Sequence, residues 1–192
     1  MTAAPTLPER HEWTVDDLGD LPKNLPYELI NGRLIVPSPT AVHQEFCVEL
    51  LLTLRVNCPT EYLVSIDLPM RVDRRNEPRP DVVVIRRTHA NRSPVPVEDA
   101  LLAVEVVSPT STFRDMYDKA KVYAHAGVQS YWVVDPLQER VTLTEYALGV
   151  NREYEQVAHT EDLFVTERPW KVSVDLPALT SRKNDLLAPD GE

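Results

Sequence analysis

Apolar positions along the chain fall into short runs of two periods, separated by prolines and turn residues. Tyr27-Glu28-Leu29-Ile30 and Arg33-Leu34-Ile35-Val36 flank Asn31-Gly32, a dipeptide that accepts the positive φ angles of a type I′ turn, so they predict a β-hairpin. Over residues 42 to about 56, Phe46, Leu50, Leu51 and Leu54 recur at helical spacing, and Pro59 closes the element. Residues 62–67 alternate like a half-buried strand, and 68–72 continue it or pair with it. Residues 81–85 and 101–107 are near-continuous apolar runs suited to central strands. A helical pattern over 113–126 follows Thr110-Ser111-Thr112 and ends at Gly127, a normal left-handed cap. Ser130-Tyr131-Trp132-Val133-Val134 reads as another buried strand, and residues 141–146, 153–157, 163–165 and 172–174 as a closing series of short strands. Ahead of all these, Thr14 is placed to cap a short helix over 15–18.

Length and composition narrow this pattern to one globular domain. With 192 residues, 43% hydrophobic and 26% charged, the chain has enough apolar material for one core and too little for two ordinary domains. The expected domain spans 12–180, with flexible tails at 1–11 and 181–192. No run approaches the ~18 apolar residues of a membrane span, and no early run has signal-peptide form. Cys47 and Cys58, eleven apart on what reads as one helix, suggest a reducing compartment, with the cytoplasm as default. A net charge of −10 disfavours nonspecific adhesion to nucleic acid or anionic membrane. Between 71 and 92, however, seven arginines (Arg71, Arg74, Arg75, Arg79, Arg86, Arg87, Arg92) oppose only Asp73, Glu77 and Asp81. An exposed basic loop and a polyanion-facing surface explain that cluster equally well.

Candidate chemistry comes from two carboxylates set into apolar strands. Asp81 follows Arg79-Pro80, and Glu105 stands between Val104 and Val106. Burying a carboxylate costs several kcal/mol unless a metal, a cation or hydrogen bonds compensate. Two carboxylates on neighbouring strands can share a divalent cation, which points to hydrolysis. A nuclease of the Pro-Asp…(Asp/Glu)-X-Lys type would carry lysine where Val107 stands; here Asp115, Lys119 and Tyr123 lie on one face of the next helix, so Lys119 can supply it. Structural readings stand beside each residue. Asp81 can pair with Arg79 or Arg86, Glu105 can form an internal salt bridge, and Asp115 with Lys119 can be a surface ion pair. Glu28 can be a solvent-facing hairpin residue, and His43 with Cys47 offers two ligands, too few for zinc. The five glycines are ungrouped, which excludes a phosphate-binding P-loop and a dinucleotide fingerprint, and no Gly-x-Ser-x-Gly elbow accompanies Ser108 or Ser111.

Five stretches in order carry a resemblance: Tyr27-Glu28-Leu29-Ile30-Asn31-Gly32; Ser38-Pro39 leading to His43-Gln44; Arg79-Pro80-Asp81; Glu105-Val106-Val107-Ser108-Pro109; and Asp115, Lys119, Tyr123 leading into Gly127-Val128 and Tyr131-Trp132-Val133-Val134-Asp135-Pro136. Over roughly 12–175 the chain resembles the Uma2 family, also called DUF820, of restriction-endonuclease-like domains. The resemblance implies an α/β (mixed α+β) fold of the PD-(D/E)XK nuclease superfamily, a central mixed sheet flanked by helices behind an N-terminal hairpin. It implies Asp81 and Glu105 as ligands of Mg²⁺ or Mn²⁺, with the Val106 carbonyl as a third oxygen. Lys119 would orient the attacking water or stabilise charge on the phosphate, with Glu28 and His43 nearby. The implied activity is metal-dependent endonucleolytic cleavage of DNA by a homodimer; the alternatives are a non-cleaving binding or regulatory module of nuclease descent and, more weakly, a protein that dimerises through its sheet edges.

Overall fold

The computed structural model describes residues 12–22, 25–109 and 113–188, the side chains of 113–115 excepted. Strands β1 (Glu28–Ile30) and β2 (Arg33–Ile35) form the expected hairpin, with Asn31 at φ 51° and Gly32 at φ 77° across its turn. Leu29 exchanges backbone hydrogen bonds of 3.1 and 2.8 Å with Glu77, which fixes the hairpin to the 73–77 turn. Trp13, Leu18, Leu21 and Leu29 bury a small cluster beneath it. The short helix near the N terminus is a 3₁₀ turn, Val15–Asp20, in which the Asp17 carboxylate accepts from the Thr14 N–H and hydroxyl at 2.9 and 2.7 Å.

Helix α1 (Ala41–Arg55) begins where Thr40 Oγ1 accepts from the His43 N–H at 3.2 Å, satisfying one of the free donors of the first turn. It ends before Cys58, so the two cysteines do not share a helix, contrary to the pattern reading. Strand β3 (Tyr62–Ile66) follows. Residues 68–72 neither extend β3 nor pair with it: the chain turns at Asp67, with φ 48°, and β4 (Met70–Arg71) pairs in parallel with β6 (Val95–Pro96) in a separate ladder. Between them runs β5 (Val82–Arg86), and after them β7 (Ala100–Val106).

Helix α2 (Phe113–Ala126) has the expected span, and Gly127 leaves it at φ 91°. Thr110, Ser111 and Thr112 lie outside the described residues. Strands β8 (Ser130–Asp135), β9 (Thr142–Leu148) and β10 (Tyr154–Thr160) complete a six-stranded sheet of order β10-β9-β8-β7-β5-β3. Its β7–β8 pair, joined through α2, is parallel and its other pairs are antiparallel, so the sheet is mixed. Hairpin β11 (Leu163–Thr166) and β12 (Val172–Asp175) leads directly into α3 (Leu176–Leu187). Residues 181–187, assigned by pattern to a flexible tail, are therefore helical. Asp175 caps α3 by accepting from the Ala178 N–H at 2.9 Å, and buried Lys183 donates to the Gln138 and Glu139 carbonyls at 2.7 Å each.

Strand alternation divides the core in two. Val82, Val84, Leu102, Val104 and Val106 pack with Phe46, Cys47, Leu50 and Leu54 of α1 and with Leu176 and Leu179 of α3. Val83, Ile85 and Ala103 face the other way, toward Tyr123 of α2 and Tyr131. Among the described residues, no helix is long and apolar enough to cross a membrane.

Candidate active site

Glu105 takes its position from the parity of β7. It shares a face with Ala103 and so points to the α2 side, where Lys119 and Tyr123 lie one helical turn apart. Asp81 immediately precedes β5, one step beyond the Val82–Val104 pair of the β5–β7 ladder, and this places the two carboxylates at the same end of adjacent strands. The hairpin brings in Glu28, and the first turn of α1 brings His43 from the opposite side of the sheet. The sequence-derived residues Glu28, His43, Asp81, Glu105, Val106 and Lys119 thus converge on one end of the sheet. Asp115 shares the backbone of α2, but its side chain lies outside the described residues.

The centre is densely paired. Lys119 Nζ is 2.7 Å from Glu105 Oε2, 2.9 Å from Glu28 Oε2 and 3.3 Å from the Arg79 carbonyl to which it donates. Tyr123 donates its hydroxyl to Glu105 Oε1 at 2.9 Å. Asp81 Oδ2 accepts the Val106 N–H at 2.7 Å and lies 3.3 Å from His43 Nε2, which is 3.2 Å from the Val106 carbonyl. Both of those neighbours are acceptors, so Nε2 carries a proton and donates. Behind the ring, Cys47 Sγ is 3.6 Å from Nδ1, and burial raises the thiol's pKa, so it stays an S–H able to donate to that nitrogen. The i, i+4 spacing that pairs Cys47 with His43 in the sequence is realised as this contact, with the thiol behind the ring.

Electrostatics at this end of the sheet are set by burial. Glu28, Glu105 and Lys119 are buried and Asp81 is mostly covered. Desolvation raises the Glu105 pKa against the pull of Lys119, with Asp81 and Glu28 adding to the rise. Lys119 is raised well above its ordinary value, because the attraction of Glu105, Glu28 and Asp81 outweighs its own burial, and it stays an ammonium. His43 is raised by its contact with Asp81 despite desolvation.

The donor set fits a hard divalent cation. Asp81, Glu105 and the Val106 carbonyl offer oxygen donors at one end of two neighbouring strands, the kind of donor that Mg²⁺ and Mn²⁺ take. Glu28 Oε2 is a buried oxygen without a directed hydrogen bond; its 2.9 Å approach to Lys119 is a charge contact. His43, Cys47 and Asp81 also offer ligand atoms within 4.8 Å of one another. They are a poor zinc set, because Cys47 sits at Nδ1 and Asp81 at Nε2, on opposite sides of the imidazole. A groove of about 1220 Å³ lies to one side, between α2 and β8–β10, lined by Val107, Tyr131, Tyr146 and Tyr154 among others. None of Glu28, Asp81, Glu105 and Lys119 lines it, so its size does not make it the reaction centre.

The arginine cluster divides. Arg71 pairs with Glu77 at 2.7 Å, Arg74 with Asp16 at 3.4 Å, Arg75 with Glu12 at 3.0 Å and Arg79 with Asp67 at 2.7 Å. Arg86 and Arg87 lie at the end of β5 remote from Asp81. Asp81 forms no ion pair with Arg79, which binds Asp67, or with Arg86, at the other end of β5.

Comparison with known proteins agrees with this architecture. No curated protein sequence matches the chain. Among solved structures, "a putative nuclease belonging to DUF820 from Anabaena variabilis" superposes with a TM-score of 0.67 at 18% identity, covering 88% of this chain and 98% of that one, a likeness of fold. The model of the Uma2 family, described as "Putative restriction endonuclease", matches residues 13–180, a span that contains every residue of the converging site, and the chain belongs to that family.

Proposed function

We propose that the protein is a metal-dependent endonuclease that hydrolyses DNA phosphodiester bonds, with Asp81, Glu105 and the Val106 carbonyl holding Mg²⁺ or Mn²⁺. One observation carries this reading: three carboxylates, Glu28, Asp81 and Glu105, crowd a buried site around a single lysine. Fully ionised, they leave two negative charges in excess, in a place where uncompensated charge costs several kcal/mol. A divalent cation matches that excess, and when bound it supplies Lewis acidity toward water and a phosphoryl oxygen.

The chain's own residues supply the rest. The Val106 N–H and His43 hold Asp81 in place, and Tyr123 and Lys119 hold Glu105. Lys119 brings a fixed positive charge to within 2.7 Å of a ligand carboxylate, where it favours the negative charge that builds on a phosphate under attack. His43, its Nε2 turned to Asp81 and the Val106 carbonyl, is a buried hydrogen-bond donor within the same site. Cleavage of both DNA strands calls for two such sites, so the acting form is a homodimer.

The test is cleavage of plasmid, linear, single-stranded and branched DNA with Mg²⁺ or Mn²⁺, comparing wild type with Glu105→Gln purified identically. Metal-dependent cutting by wild type alone supports the proposal. Cutting by both proteins overturns the site. Cutting by neither, with Mn²⁺ bound by wild type alone, favours a non-cleaving binding module, a reading to which the net charge of −10 and the paired arginines lend weight.

A further inference from the structure

Lys119 sits where a cation would sit. Its ammonium has three oxygens around it, from two carboxylates and one backbone carbonyl: Glu105 Oε2, Glu28 Oε2 and the Arg79 carbonyl, at 2.7, 2.9 and 3.3 Å. These are the oxygen types that bind Mg²⁺ and Mn²⁺. The cage is rigid for reasons external to the lysine. Arg79 grips Asp67 through Nε and a second nitrogen at 2.7 and 2.9 Å, and Pro80 restricts the backbone that follows its carbonyl. Glu28 is fixed by the hairpin, and Glu105 by β7 and by Tyr123. Glu28 Oε2 adds a further sign: it is buried and close to the ammonium, yet outside any directed hydrogen bond. An oxygen held by charge without hydrogen-bond direction suits a spherical ion as well as an ammonium.

We infer that Glu28, Glu105 and the Arg79 carbonyl form a second cation site, filled in this protein by its own lysine, so that shortening Lys119 opens the site to a divalent metal. The inference rests on the function proposed above for its meaning: the protein works with one bound metal ion and one built-in cation. It does not need that function for its test, which counts ions.

The experiment measures Mn²⁺ bound per chain, from the loss of the free-ion electron paramagnetic resonance signal, in wild type, Lys119→Ala and Lys119→Ala/Glu28→Gln, with circular dichroism as the check on folding. Lys119→Ala is expected to bind one Mn²⁺ more than wild type, and the double variant to return to the wild-type number. Equal numbers in wild type and folded Lys119→Ala overturn the inference, and so does an extra ion that survives removal of the Glu28 carboxylate. Should Lys119→Ala fail to fold even with Mn²⁺ present, Lys119→Gln, shorter than lysine and uncharged, is counted by the same criterion. A wild type that binds no Mn²⁺ contradicts the first metal site and the proposed function, while the difference between wild type and variant still decides the second site.

Discussion

A single hydroxyl shows how tightly the site residues depend on one another. Tyr123 is fully buried and gives its one hydrogen bond to Glu105, a carboxylate that desolvation already pushes toward protonation. Tyr123→Phe removes that donor and keeps the ring, leaving Glu105 a hydrogen bond short at a cost of about 1–3 kcal/mol. DNA cleavage is expected to fall by roughly tenfold or more, measured as the initial rate at saturating metal, with little change in the circular dichroism spectrum. Gly32 is a second sensitive point. A side chain there would require φ near 77° and would bring its Cβ to 3.0 Å from the Arg75 guanidinium and 3.3 Å from the Trp13 carbonyl. Gly32→Ala is expected to lower stability by about 1–2 kcal/mol in urea unfolding. Both positions were partly legible in the sequence: Asn-Gly between two apolar runs names its turn, and Tyr123 is spaced to lie over Lys119. What Tyr123 contacts was not legible, because spacing along α2 cannot say which residue of β7 stands opposite.

Elements differ in how openly their sequence declares them. Helix α2 has an apolar stripe and a glycine stop, and its span follows from both. Helix α3 was hidden because Lys183 occupies one of its buried positions, and a lysine breaks the apolar period there. The ammonium reaches two carbonyls that a later part of the fold turns toward it, a contact with no local signal. Residues 68–72 were misassigned for a similar reason: their partner is a two-residue strand some 25 positions away, too short to show a period. Element ends also bear on the candidate site. Thr40 caps α1 by holding the N–H of His43, so the cap and the site share one residue. Thr40→Ala is expected to cost about 1 kcal/mol in denaturant unfolding, and in the same protein to weaken cleavage, because the turn that presents His43 to Asp81 loosens. Asp175→Ala removes the cap of α3, a helix that contributes none of the converging side chains, and is expected to cost a similar amount of stability, about 1 kcal/mol, with cleavage unchanged. Comparing the two variants separates loss of a cap from loss of a positioned histidine.

Across the whole molecule, the proposed function requires a chain of net charge −10 to meet a polyanion. The arginines of the 71–92 stretch do not gather on one cationic face. Arg71, Arg74, Arg75 and Arg79 are bound to carboxylates near the hairpin, while Arg86 stands exposed at the far end of β5. Arg86 lies five residue steps along the strand from Asp81, about 16 Å at ~3.3 Å per residue. That distance is about twice the ~8 Å screening length at physiological ionic strength, and the core of the sheet lies along it. Arg86→Glu is therefore expected to leave cleavage within about twofold of wild type at physiological salt. Arg79→Ala acts at the other end. It frees Asp67 and loosens the backbone whose carbonyl accepts from Lys119, so cleavage is expected to fall well beyond that range. Parallel initial-rate measurements of the two variants across a salt series decide between a cleft at the carboxylate end and a binding surface spread along the 71–92 arginines. A loss in Arg86→Glu as large as that in Arg79→Ala would place the DNA along the arginines and away from the converged carboxylates, and the assignment of Asp81 and Glu105 to the reaction centre would then fail with it.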